Sequence, residues 1–282
     1  MADLLSGASW LFRGHGDAAW SLKSTFEREL AAENSVWPIE TATLSHFLRL
    51  APRHLAPHLV PHDLDTAAWL GLMQHYGGPT RLLDVSRSPY VALFFAFEPS
   101  GEQERAVWAV DGAWCARQAA AVMARCEGIE LDAALGRVFE DQAGLVRAVV
   151  HNQAFPGSCA TFRPFTGAFP LLPWKPDIRQ SAQQAGFLCA ANLRRTFIDN
   201  LISMDDPTTD AGAYKFTIPG RLRREAIQRL ESMNVTAATL FPDLGGLARS
   251  LRTYQAHSPE TQRPRRAPWE KPADQLKSRT AT

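Results

Sequence analysis

The stretch GLMQHYGGPTRLLDVSRSPYVALFFAFE, residues 71–98, decides how this chain is read. A helix running into Gln74 delivers His75 and Tyr76 to a turn, because Gly77, Gly78 and Pro79 break helical structure and reverse the chain. Arg81 and Asp84 follow, on either side of Leu82 and Leu83. In an extended segment this odd spacing sends them to opposite faces; in a turn both converge on one cleft. Ser88 is placed to cap the next helix, with Pro89 at its first position and an apolar run behind it. The free N–H groups at such a helix start favour an anion. One turn therefore gathers a neutral base, a phenol, a cation, a carboxylate and a helix N-terminus. That set suits a phosphorylated or sugar-bearing ligand, and equally a buried polar network that locks the turn.

Working outward, SWLFRG near the start reads as a short buried strand ending in a polar turn. Residues 40–50 and 66–76 place apolar side chains at helical spacing. RAVWAVD alternates and is rich in β-formers, which predicts a strand, and LVRAVVHN predicts another. DGAWCARQAAAVMARC is an alanine-rich helix, DIRQSAQQAGFLCAA starts polar and ends as a strand, and AYKFTIPG is a strand closed by Pro and Gly. RLRREAIQRLESMN is an amphipathic helix, and LFPDLGGLARSL turns into a closing helix that Asp243 can cap. Helices interrupt short strands without a regular βαβ rhythm. The expected class is α+β, a small mixed β-sheet surrounded by helices in irregular order. Residues 1–255 form the expected domain, and the Pro- and Arg-rich residues 256–282 a polar tail.

Bulk composition narrows the partners. A net charge of +1 on 282 residues gives no global pull toward nucleic acid or acidic membranes. No apolar run is long enough to span a bilayer, and MADLLSGASWLF lacks the marks of a signal peptide, so the expected location is cytoplasmic. Cys115, Cys126, Cys159 and Cys189 show neither zinc nor CxxC spacing and read as reduced thiols. His54, His58 and His62 recur every fourth residue, but Pro57 and Pro61 interrupt the helix a metal site would need, and no metal is expected.

Arg13 sits just past a buried apolar strand, where a sheet edge opens and a guanidinium can take phosphate or carboxylate in a fork. Gly14 beside it permits close approach of a ligand or of another backbone. A structural salt bridge, for instance with Asp84, is the competing role for Arg13.

Three blocks, LFRG at the start, QHYGGPTRLLDVSRSPYVALFFA in the middle and LFPDLGGLA late, together resemble the FRG domain family, whose name-giving tripeptide is here Phe12, Arg13 and Gly14. The resemblance spans most of residues 10–250. The chain departs from it at His15, where many relatives carry Gln, at Val85, and at Ala185, which replaces the glycine of an Ala-Gln-Gln-Gly block. The block order is similar to that of ADP-ribosyltransferases, with Arg13, then Ser86 or Ser88, then Gln183 in sequence.

The resemblance implies NAD as the nucleotide, with ADP-ribosyl transfer or NAD cleavage as the reaction and a bacterial toxin or antiphage setting. Taken with the reading of the turn, the candidate catalytic residues are His75, Asp84 and Gln183, and the candidate ligand-binding ones Arg13, Gly14, His15, Tyr76, Arg81, Ser88 and Asp243. A non-catalytic module that binds a nucleotide or a protein partner in a defence or toxin–antitoxin system is the alternative. A hydrolase using metal ions is weaker, for want of a carboxylate cluster.

Overall fold

The computed structural model describes residues 10–30, 36–154, 165–172, 176–205 and 212–254. Its centre is a six-stranded sheet in the order β4-β5-β2-β1-β3-β6. The strands are β1 (Trp10–His15), β2 (Leu82–Ser86), β3 (Arg105–Asp111), β4 (Ala168–Leu171), β5 (Ala185–Ala190) and β6 (Ala213–Ile218). The expected α+β class holds. Every neighbouring pair is antiparallel, however, so the sheet is not mixed.

Alternation along the central strands builds two cores. Leu11 and Val110 point into one, which is roofed by α2 (Val36–Leu50), α3 (Thr66–His75), α5 (Gly112–Glu127), α6 (Leu131–Phe139) and α7 (Gln142–Ala154). Phe12, Val107 and Ala109 point into the other, packed against α4 (Pro89–Phe97), α10 (Arg223–Ser232) and α11 (Ala237–Leu240). Short helices α1 (Thr25–Leu30), α8 (Ile178–Ala182) and α9 (Phe197–Ile202) and the closing α12 (Leu244–Tyr254) complete the order.

Local chemistry explains α4. Ser88 Oγ accepts the Val91 N–H at 3.4 Å, and Pro89 occupies the first turn. The helix lies directly on β1 because Gly14 has no side chain: a Cβ there would sit 1.9 Å from the Ala92 carbonyl oxygen. At the end of α3, Gly77 takes φ +85° and Gly78 N–H returns to the Met73 carbonyl at 2.8 Å, so the glycine pair closes the helix as expected.

A second expectation also fails. LVRAVVHN lies in α7 and is not a strand, because Leu145, Val146, Val149 and Val150 are all buried at helical spacing and packing overrides their β preference. Of the two conformations open to the segment from Leu82 to Ser86, the extended one forms, held by β5 through Leu83–Leu188 and Asp84–Phe187. β4, with Pro170 on an outer strand where a missing N–H is tolerated, carried no legible signal. Cys115 and Cys189 are buried free thiols, Cys126 is a partly buried one, and Cys159 lies outside the described residues, as does the expected tail. The two histidines His54 and His58 sit in 3-10 turns, and the described residues hold no cluster of three metal-binding side chains. No helix among them is long and apolar enough to cross a membrane.

Candidate functional site

β1 and β2 touch through a single registered pair, Phe12 with Ser86, whereas β1 and β3 share a ladder from Trp10–Asp111 to His15–Ala106. The two central strands thus part company past Phe12, and a hollow of about 960 Å³ borders the split. Arg13 and His15 line it from β1, Gln74 and His75 from the end of α3, Asp84 and Ser86 from β2, and Gln183 from the turn after α8. A second hollow, about 570 Å³, is walled by apolar side chains such as Trp10, Leu11, Phe139 and Leu172 and offers far less chemistry.

Arg13 and Asp84 form the centre. Arg13 Nη1 donates to the Asp84 backbone carbonyl at 2.6 Å and lies 3.7 Å from its carboxylate. Gln74 Nε2 donates to Asp84 Oδ1 at 2.7 Å, and Thr80 Oγ1 in turn donates to Gln74 Oε1. The carboxylate is held by a neutral amide yet remains 59% exposed toward the opening. Burial lowers the pKa of the Arg13 guanidinium, and Asp84 opposes that effect. Its Nε is buried without a hydrogen-bond partner among the described residues. Burial also pushes His15 down to about 4, and repulsion from Arg13 adds to it, so the imidazole is neutral near pH 7.

The wall as a whole is cationic. Arg13, Lys23, Arg28, Arg179 and Arg249 line the hollow against only Asp84 and Glu98. Glu98 is occupied by a two-pronged pair with Arg249, while Lys23, Arg28 and Arg179 have no ion pair among the described residues. Arg179, and Arg249 in addition to its pair, stack on the Phe241 ring at 4.7 and 4.3 Å. Such a wall attracts an anion, and its volume suits a nucleotide-sized one.

The expected site residues divide. Arg13, His15, His75, Asp84 and Gln183 border the hollow together. His75 Nδ1 lies 3.0 Å from Asp177, whose other carboxylate oxygen caps α8 by accepting the Gln180 N–H, so the ring is fixed between two elements. Gln183 donates from Nε2 to the Leu240 carbonyl at 3.0 Å, and its backbone carbonyl accepts from Ser86 Oγ at 2.7 Å. Gly14 borders the hollow too, but its need for a bare Cα comes from α4 rather than from a ligand.

Four residues are not brought to the hollow. Arg81 is fully buried on the far side of β2, where its guanidinium meets Glu40, because the extended conformation puts it opposite Asp84. Tyr76 is 67% exposed beside the His75 ring and does not line the hollow. Ser88 spends its hydroxyl on the α4 cap, and the start of that helix, at Pro89, borders the apolar hollow instead. Asp243 caps α12 by accepting the Gly246 N–H at 2.7 Å. The sequence reading missed Gln74, Thr80 and Asp177. Gln74 heads the motif block itself and was the one signal available.

No curated protein and no solved structure matches this chain. The family model for the FRG domain matches residues 8–105, a span that takes in β1, the Gly77–Gly78–Pro79 turn, β2 and α4. The blocks around Gln183 and Asp243 fall outside it, so the match is narrower than the expected 10–250. The part of the hollow formed by Arg13, Gln74 and Asp84 therefore lies within the span, residues 8–105, that is similar to an FRG domain.

Proposed function

We propose that the hollow binds a phosphate-bearing nucleotide, and that the nucleotide is NAD, cleaved or used for ADP-ribosyl transfer. The observation that carries this reading is the excess of cations over carboxylates around Asp84, with that one carboxylate held in place by Gln74. Arg13, Lys23 and Arg28 neutralise the pyrophosphate. Trp20, more than half exposed at the wall, supplies the ring face for a base.

The chemistry asks little else of the protein. As the C–N glycosidic bond breaks, its electron pair goes to the pyridinium nitrogen and nicotinamide leaves neutral. Positive charge develops on the ribose, and the Asp84 carboxylate stabilises it. Water or an acceptor hydroxyl then bonds to the anomeric carbon and releases a proton. His75, oriented by Asp177, borders the same space as a proton acceptor. By family resemblance the setting is a toxin or antiphage system in the bacterial cytoplasm, with a protein partner there.

Incubation of the purified protein with NAD tests the reading: nicotinamide is released, and Asp84→Asn or Arg13→Ala abolishes release. A second reading, a nucleotide-binding module without turnover, draws on the fact that both carboxylates of the wall already contact an arginine. It predicts thermal stabilisation by NAD with no nicotinamide formed.

A further inference from the structure

Two buried polar atoms on one face of β1 have no hydrogen-bond partner among the described residues: Arg13 Nε and His15 Nδ1. Their residues are two apart on a strand, so both side chains leave the sheet on the same side. Both residues line the large hollow. His15 is only 6% exposed, too buried for bulk water to serve its ring freely.

The two atoms are complementary in kind. A guanidinium Nε always carries hydrogen and can only donate. The His15 ring interacts with the Trp20 backbone in a way that favours the protonated nitrogen, which leaves bare Nδ1 as the acceptor of a neutral imidazole. Arg13, Lys215 and Arg28 all act to keep a second proton off the ring. Leaving a buried acceptor unsatisfied is costly, and nothing on the neighbouring strands supplies a donor to it.

We propose that Arg13 and His15 form one subsite for a hydroxyl-bearing phosphate, a phosphorylated sugar, with Arg13 Nε–H donating to a phosphate oxygen and His15 Nδ1 accepting from a sugar hydroxyl. The inference rests on the nucleotide reading of the hollow and sharpens it: the ligand is selected for its hydroxyls as well as its charge. A site built this way rejects an analogue that lacks the hydroxyl, because the acceptor is then buried and empty.

Titration calorimetry with ADP and 2′,3′-dideoxy-ADP separates the two parts. Wild type binds ADP about 10-fold to 100-fold more tightly than the dideoxy compound, the cost of one unsatisfied buried group. His15→Phe, similar in volume, binds both nucleotides equally and at the level of the dideoxy compound in wild type. His15→Asn, whose side-chain oxygen can stand where Nδ1 stood, regains part of the preference and covers the case in which the Phe variant fails to fold. Equal binding of the two nucleotides by wild type, or a preference that survives in the folded Phe variant, overturns the His15 assignment and leaves the nucleotide site intact. Binding of neither nucleotide by wild type overturns both.

Discussion

Arg81 and Glu40 meet in the interior, Nε lying 2.8 and 3.1 Å from the two carboxylate oxygens while Nη1 donates to the Ala190 carbonyl at 3.0 Å. Neither side chain is more than 1% exposed. The pair ties α2 to the junction of β2 and β5, so the arginine of the motif block that looks most like a ligand clamp is a strut. Removing one partner leaves a buried charge unmatched, which costs about 3–5 kcal/mol. Glu40→Gln and Arg81→Met should each lower the urea midpoint severely. The double replacement Glu40→Leu with Arg81→Met should recover much of the loss, since it buries no charge at all.

Why Arg81 and Asp84 were separable only in three dimensions is a matter of range. Ser88, Pro89 and the apolar run after them specify α4 through contacts within four residues, and that helix was legible. Whether Leu82–Ser86 is extended is decided by Leu188 and Phe187, about a hundred residues later, and no local pattern carries it. Val146, Val149 and Val150 show the same limit in reverse, since their β preference yields to a core that the sequence does not display. Arg13 and Asp84 could be picked out because each sits in a short motif block that is read locally. Their joint placement along a split between β1 and β2 could not. Glu40 gave no hint of its partner, and Thr80 gave none of its grip on Gln74.

Gly14 separates packing from ligand contact. Gly14→Ala would place a methyl 1.9 Å from the Ala92 carbonyl oxygen and 2.8 Å from the Ala96 nitrogen, both backbone atoms that cannot swing aside. α4 must then lift from β1, and overpacking of this kind costs about 1–3 kcal/mol. Thermal melting should show the loss with no ligand present. If the melting temperature is unchanged and only NAD binding falls, Gly14 acts on the ligand and the packing account is wrong.

Gln74 should behave in the opposite way. Its amide holds Asp84 Oδ1 from the edge of the hollow, where losing one hydrogen bond to a solvent-exposed carboxylate costs about 1 kcal/mol of stability. Gln74→Ala should therefore melt close to wild type while nicotinamide release drops about 10-fold, because the carboxylate is no longer oriented. Gln74→Glu should be worse than Ala, since a second negative charge beside Asp84 repels it. A Glu variant as active as wild type would show that orientation of Asp84 does not matter.

His15 gives the protein a pH dependence of defined sign. Its folded pKa is about 4 against an ordinary 6.5, so above pH 6.5 neither the folded nor the unfolded state holds the proton. Between those limits the unfolded chain takes up a proton that the folded protein refuses, and stability falls as pH falls. Below about 4 both states are protonated and this contribution stops changing. Over the whole window the shift corresponds to a loss on the order of 3 kcal/mol. Urea unfolding of wild type and of His15→Asn at pH 7.5 and pH 4.5 isolates the effect. Wild type should lose more stability than the variant on acidification. Parallel losses would mean that the ring is protonated at its ordinary pKa and is reached by solvent.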